Sequence, residues 1–156
     1  MEHDDHSQYA EDKARTLYTK EHAIHCPYFQ EKVVLSADGF HHLRFSARRE
    51  RTKDEQRLKF RLLPLALQVI RKSGTVQEYR RALMPMGKRR ADGFIPVKDV
   101  EYWAFVAIVG DISNQIKIKT IVRKVGNGQL TFWSVMPGSK IKNGKQQFAP
   151  NDIEDA

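Results

Sequence analysis

Residues 115–137 read QIKIKTIVRKVGNGQLTFWSVMP, two segments of alternating polarity that meet at Asn127-Gly128. Asn-Gly supplies the positive φ angles of a two-residue hairpin loop, and it is the strongest short-range signal for a β-hairpin. The stretch therefore predicts two antiparallel strands joined by a turn at residues 127 and 128.

A two-residue loop also predicts the register of the hairpin. The predicted pairs are Val125 with Leu130, Arg123 with Phe132, Ile121 with Ser134, Lys119 with Met136, Val122 with Trp133 and Thr120 with Val135. Because side chains alternate across a sheet, the hairpin has two faces. The apolar face is predicted to hold Ile116, Ile118, Thr120, Val122, Trp133 and Val135. The other face is predicted to hold Lys117, Lys119, Arg123, Phe132 and Ser134, a set of cations, a hydroxyl and an aromatic ring that suits a phosphodiester backbone.

Composition limits the class of protein. The 156 residues fit one domain, and 40% are hydrophobic and 29% charged, which is typical of a folded chain. A net charge of +8 favours polyanionic partners such as nucleic acid or an anionic membrane surface. No apolar run reaches the roughly 20 residues of a membrane helix, so no membrane is expected. The single cysteine, Cys26, excludes an internal disulfide and fits the reducing cytoplasm.

Outside the hairpin, periodicity predicts a helix over residues 11–25 and short strands over 32–36 and 40–46. A long amphipathic helix is predicted after Thr52, with Pro64 as a kink or a break and Gly74 as its end. A strand is predicted over 78–83 and a basic loop over 85–96. The segment 101–109 is apolar at both its odd- and its even-numbered positions, which indicates a central strand covered on both faces.

These elements predict an α+β fold in which N-terminal helices pack on one face of an antiparallel sheet of about four strands that ends in a β-hairpin. Residues 1–8 are expected to form a flexible N-terminus, 9–148 a single α+β domain and 149–156 an acidic tail.

The adjacent histidines are the first catalytic candidates. If residues 40–46 form a strand, His42, Arg44 and Ser46 face one side, and His41 lies at the edge of the core. Metal-free RNA cleavage needs a base for the 2′-hydroxyl, an acid for the leaving 5′-oxygen and fixed cations around the phosphorus. His42 with Arg44 and Ser134 would supply part of such a set, although both histidines could equally be packing residues.

The basic residues also have two possible roles each. Lys117, Lys119 and Arg123 could bind nucleic acid or simply keep a strand face solvated. Arg61 could line a phosphate groove or face solvent. Phe132 could stack on a base or belong to the core.

Other chemistries have weaker signals. His22, His25 and Cys26 would share a face if residues 11–25 and their neighbours were helical, with His3 or His6 as a fourth zinc ligand, but no second pair of ligands follows. Phosphate-binding glycine loops and hydrolase motifs are missing from the sequence. The acidic residues Asp99, Glu101 and Asp111 are too scattered for two-metal nuclease chemistry. We therefore expect neither a metal nor another cofactor.

The chain resembles the metal-independent ribonucleases of the Barnase, EndoU, colicin and RelE superfamily, particularly its phage and mobile-element branches. The resemblance rests on FHHLRFS at 40–46, the basic helix that ends near Ile70, and IKTIVRKVGNGQLTFWSVMP at 118–137. It covers about two-thirds of the chain by order of elements.

The resemblance implies an enzyme that cleaves RNA, often tRNA, and leaves a 2′,3′-cyclic phosphate. It implies catalytic roles for His42, Arg44 and Ser134, with Lys119 and Arg123 next. It also implies an acidic antitoxin or immunity protein as a partner. No histidine follows residue 42 in the sequence, so a lysine, arginine or tyrosine would have to act as the general acid. A non-catalytic nucleic-acid-binding protein and a protein-interaction module are the alternatives.

Overall fold

The computed structural model describes residues 2–138, 140–142 and 145–147. Its helices are α1 (Glu2–Glu21), α2 (Ala37–Arg44) and α3 (Lys53–Lys72). Its strands are β1 (Ala23–Cys26), β2 (Glu31–Val34), β3 (Glu78–Pro85), β4 (Val97–Asp111), β5 (Asn114–Val125), β6 (Thr131–Pro137), β7 (Lys140–Lys142) and β8 (Lys145–Gln147). The α+β class is thus as predicted, whereas the expected acidic tail at 149–156 lies outside the described residues.

The main sheet has six strands in the order β1-β2-β6-β5-β4-β3, and β7 and β8 form a separate pair. The prediction of about four antiparallel strands was therefore wrong in number and in direction. β1 overlaps the end of residues 11–25, which were predicted to be helical. β2 joins β6 in parallel through the single pair Val34 and Thr131. Because β2 pairs with β6 only there, the rest of that edge of β6 is left to α2.

The long helix α3 covers one face of this sheet. α3 begins at a capping box in which the Thr52 hydroxyl accepts a hydrogen bond from the Glu55 amide, and it continues through Pro64 without a break. Its apolar stripe packs on the even-numbered side chains of β5, such as Ile118 and Val122. This face holds the larger core.

The opposite face carries a smaller core of its own. Val100, Tyr102, Ala104 and Ile121 are buried there. β4 consequently has buried side chains on both of its faces.

The hairpin is present, but its predicted register is only partly right. Thr120 pairs with Val135, Ile121 with Ser134 and Lys119 with Met136, as predicted. Beyond Ile121 the register shifts, so that Val122 pairs with Phe132 and Arg123 with Thr131. Trp133 is left over as the extra residue of a β-bulge, and residues 126–130 replace the two-residue loop.

The bulge exchanges the two aromatic residues between the faces. Phe132 was predicted to share the basic face, but it is fully buried in the core beneath the helices. Trp133 was predicted to share the apolar face with Val122, but it packs against the smaller core on the opposite face of the sheet. One inserted residue reverses the orientation of its neighbours because side chains alternate along a strand.

Candidate active site

The candidate site forms where α2 packs on the free edge of β6. Residues 40–46 were predicted to be a strand, yet Ala37–Arg44 is helical because Ser36 caps it, its hydroxyl accepting a hydrogen bond of 3.1 Å from the Gly39 amide. The Tyr18 hydroxyl donates to the Ser36 carbonyl and ties this cap to α1. Burial raises the pKa of Tyr18, so its hydroxyl remains a donor.

Gly39 sets the distance between α2 and β6. A Cβ atom at this position would collide with the Phe132 carbonyl oxygen and lie 2.8 Å from the Tyr18 hydroxyl. Glycine therefore allows α2 to approach the backbone of β6 directly, one residue before Trp133. This close approach places His42, one turn further along α2, over the bulge.

His42 and Arg123 sit on the same aromatic ring. The His42 imidazole stacks on the Trp133 indole, with ring centroids 4.0 Å apart and an interplanar angle of 17°. The Arg123 Cζ atom lies 3.5 Å from the centroid of the same indole. Two groups this close to one centroid must occupy opposite faces of the ring. The imidazole and the guanidinium are therefore separated only by the thickness of the indole.

Arg51 holds the imidazole from its edge. The Arg51 Nε donates to the His42 carbonyl at 3.0 Å, and its Nη2 lies 3.2 Å from His42 Nε2. A guanidinium has no acceptor, so Nε2 must be the acceptor and carry no proton in this arrangement. His42 is 5% exposed, which leaves a narrow approach to the ring.

Two of the predicted arginines carry buried nitrogens without a hydrogen-bond partner in the described part of the chain. These are the Nε atoms of Arg123 and Arg44. Arg44 otherwise lies 3.7 Å from the Glu11 carboxylate and over the Phe45 ring. A buried donor left unsatisfied is costly, and phosphate oxygens are the acceptors that guanidinium groups bind best.

Ser134 is fully buried rather than displayed on an open basic face. Its hydroxyl accepts a hydrogen bond of 3.0 Å from Lys59 Nζ, which also donates to the Val135 carbonyl at 2.7 Å. Lys59 is itself 7% exposed and comes from α3. Sequence reasoning missed it, although a lysine between Gln56 and Leu63 on the buried side of α3 interrupts an apolar stripe and could have been noticed.

The remaining predicted cations are dispersed. Lys119 makes an ion pair with Glu78, its Nζ 2.7 Å from Oε1. Lys117 is exposed near the far end of β5. Arg61 is exposed on α3, which covers the opposite face of the sheet from Arg123. Of the predicted nucleic-acid-binding residues, only Arg123 joins His42.

The zinc hypothesis assumed that His22, His25 and Cys26 share a helical face. His22 instead has a positive φ of 58° between α1 and β1, and His25 and Cys26 point to opposite sides of β1. Burial raises the pKa of the Cys26 thiol. In the described ranges, no three His, Cys, Asp or Glu side chains are grouped closely enough to hold a metal ion.

Comparison of the chain with protein-family models, with curated proteins and with solved structures gives no match. Among the helices of residues 2–138, none is long and apolar enough to cross a membrane. The site is therefore interpreted from its own geometry.

Proposed function

We propose that this protein is a metal-independent endoribonuclease that cleaves RNA, with tRNA as a candidate target, by attack of the 2′-hydroxyl on the adjacent phosphorus. The observation that carries the proposal is the stack of His42 and Arg123 on Trp133. Residues from α2, β5 and β6 converge there to pair a titratable base with a permanent cation.

In this mechanism His42 is the general base. The 2′-oxygen gives its proton to His42 Nε2 and bonds to phosphorus, while the bond from phosphorus to the 5′-oxygen breaks. The products are a 2′,3′-cyclic phosphate and a 5′-hydroxyl whose proton comes from a cationic side chain or water. Arg123 stabilises the charge on the non-bridging oxygens.

His42 can act as a base only after Arg51 has left its Nε2 atom. The hydrogen bond from Arg51 keeps Nε2 unprotonated, which is the form that a base requires. The same bond occupies the lone pair, so the ribose hydroxyl must replace Arg51 at Nε2 before proton transfer. Arg51 then becomes available to the phosphate.

The test is incubation of purified protein with total tRNA in EDTA, comparing wild type with His42→Gln and His41→Ala. His41 is exposed on the same helix and stacks on Phe45, so it is a matched control. Wild type and His41→Ala should produce fragments ending in 2′,3′-cyclic phosphate. His42→Gln, which keeps an acceptor for Arg51, should be slower by about 100-fold, the usual contribution of a general base.

Thermal melting separates loss of chemistry from loss of fold in these variants. Equal cleavage by wild type and by a folded His42→Gln variant would refute the role of His42. Intact tRNA with wild-type protein would refute the enzyme itself.

A non-catalytic nucleic-acid-binding protein is the second candidate function. The observation that favours it is the 5% exposure of His42, whose Nε2 already has a partner. Such a protein would bind tRNA without cleaving it, and His42→Gln would leave its affinity unchanged.

We also propose that an acidic inhibitor protein of a phage or mobile element restrains this enzyme. The net charge of +8 would favour its association. Expression without such a partner should arrest cell growth, and His42→Gln should relieve the arrest. Normal growth with an active wild-type enzyme would remove the need for an inhibitor.

A further inference from the structure

A row of three side chains crosses the sheet from the candidate site to its far edge. Arg123 of β5 is paired with Tyr102 of β4, and Tyr102 is paired with Arg80 of β3. Directly paired residues in a sheet point to the same face. Arg80 therefore lies on the same face as the Arg123 guanidinium, two strands away.

Side-chain contacts agree with this assignment of faces. Tyr102 Oη lies 3.4 Å from the sulfur of Met84, which is an even-numbered residue of β3 like Arg80. Lys119 of β5 reaches Glu78 of β3 across β4 on that face. The odd-numbered Arg81 points the other way, where its guanidinium makes a bidentate contact with Asp99 at 2.6–2.9 Å.

The face that holds this row is electropositive. Its strand residues include the cations Arg80, Lys98, Lys117, Lys119 and Arg123. Glu78 is the one carboxylate among the strand residues of this face in the described part of the chain, and Lys119 pairs with it. Such a face attracts a polyanion along its length.

The spacing of the row separates its two guanidinium groups. Strands lie about 4.8 Å apart, so the backbones of Arg80 and Arg123 are about 10 Å apart. Side chains in a strand stand roughly perpendicular to the sheet, and Tyr102, 1% exposed, fills the position between them. The two arginines are therefore placed for different phosphates of one strand.

We propose that the row Arg80–Tyr102–Arg123 is a binding track that carries a single RNA strand from the scissile phosphate at Arg123 to a second phosphate at Arg80. This inference rests on the proposed ribonuclease function and adds a preference for a class of substrate. The enzyme would prefer single-stranded substrates that extend several nucleotides beyond the cleaved bond, and Arg80 would bind the substrate without taking part in the chemistry.

The kinetic test compares cleavage of a dinucleotide and of a single-stranded hexanucleotide by wild type, Arg80→Ala and Arg81→Ala. Arg81 is the matched control because it is the neighbouring cation on the opposite face. Arg80→Ala should raise KM for the hexanucleotide about tenfold, with kcat and dinucleotide cleavage unchanged, since it removes one charged hydrogen-bonding contact. Arg81→Ala should leave both substrates unaffected.

Equal effects of Arg80→Ala and Arg81→Ala on the hexanucleotide would overturn the track. An equal loss on the dinucleotide would overturn it too, because Arg80 would then act at the scissile bond.

A binding test distinguishes failure of the track from failure of the ribonuclease. A 2′-O-methyl hexanucleotide has no nucleophile and can be titrated without cleavage. Arg80→Ala should weaken its binding about tenfold and reduce the salt slope by about 0.7, the value for one phosphate of a single strand. If RNA stays intact while this difference holds, the track survives and the enzyme does not. If affinity and slope are unchanged, the track is refuted whether or not RNA is cleaved.

Discussion

At the scale of single residues, the candidate site depends on the absence of a side chain at Gly39. Gly39 has no Cβ, and this alone lets α2 rest on the Phe132 carbonyl with His42 above Trp133. His42 was predicted from its neighbours in sequence, whereas its position depends on Gly39, which lies just before the predicted strand 40–46.

Gly39→Ala tests this contact. Helix propensity alone predicts that alanine stabilises α2 by about 0.5–1 kcal/mol. The collision with the Phe132 carbonyl predicts the opposite, a loss of about 1–3 kcal/mol from overpacking, together with displacement of His42 and loss of RNA cleavage. Chemical denaturation and the tRNA assay measure both effects.

Gly74→Ala is the matched control, because no atom lies within 4 Å of the Cβ it would add. It should be neutral or slightly stabilising. A Gly39→Ala variant that is as stable and as active as Gly74→Ala would contradict the account of how α2 is placed.

At the scale of elements, α3 shows how a local signal and a tertiary contact combine. Its N-terminus follows from sequence, since Thr52 and Glu55 have the spacing of a capping box. The role of Lys59 in α3 cannot be predicted from the sequence, because only the packed structure brings its ammonium group to Ser134 and Val135. Short elements are harder to predict for the same reason. Residues 37–44 are helical because of a cap and close packing, whereas the sequence of residues 40–46 predicted a strand.

The cap of α3 predicts a pH dependence of stability. The hydrogen bond from Arg49 lowers the pKa of Glu55 below its ordinary 4.5, with the Arg49 charge and the Thr52 amide acting in the same direction. The folded state therefore binds this proton less readily than the unfolded state. The stabilisation is present above pH 4.5 and is lost as the pH falls through the lowered value.

Glu55→Gln should remove this dependence. Wild type should be more stable than the variant at pH 7, and the difference should shrink towards pH 3 in thermal melts at low salt. Thr52→Ala provides the comparison, because losing the hydroxyl cap should cost about 1 kcal/mol at every pH. A Glu55→Gln difference that stays constant with pH would contradict the proposed charge interaction.

At the scale of the whole molecule, the excess of positive charge is organised by the sheet. The helices occupy one face, and the other face carries strand cations with Glu78 as their carboxylate in the described ranges. A net charge of +8 read from the sequence says nothing about where that charge lies. Its placement beside the His42, Trp133 and Arg123 stack is what links the charge to the candidate site.

This placement predicts a strong salt dependence of RNA binding. Two phosphates held by Arg80 and Arg123 should give a slope of at least about −1.4 in log affinity against log salt concentration for a 2′-O-methyl single strand. Fluorescence anisotropy between 50 and 200 mM KCl, the range over which such contacts weaken markedly, measures the slope. A slope near zero would mean that the charge is incidental, as expected of a protein-interaction module.

The sequence by itself determined the α+β class, the long helix after Thr52, the buried side chains on both faces of β4 and half of the hairpin register. These features follow from local periodicity and capping, which a chain carries wherever it is placed. Only the tertiary structure decided the six-stranded mixed sheet, the bulge that turns Trp133 away from the face that α3 covers, and the meeting of His42, Arg51 and Arg123. Those outcomes depend on contacts between segments distant in sequence, where one inserted residue or one missing Cβ changes which side chains meet.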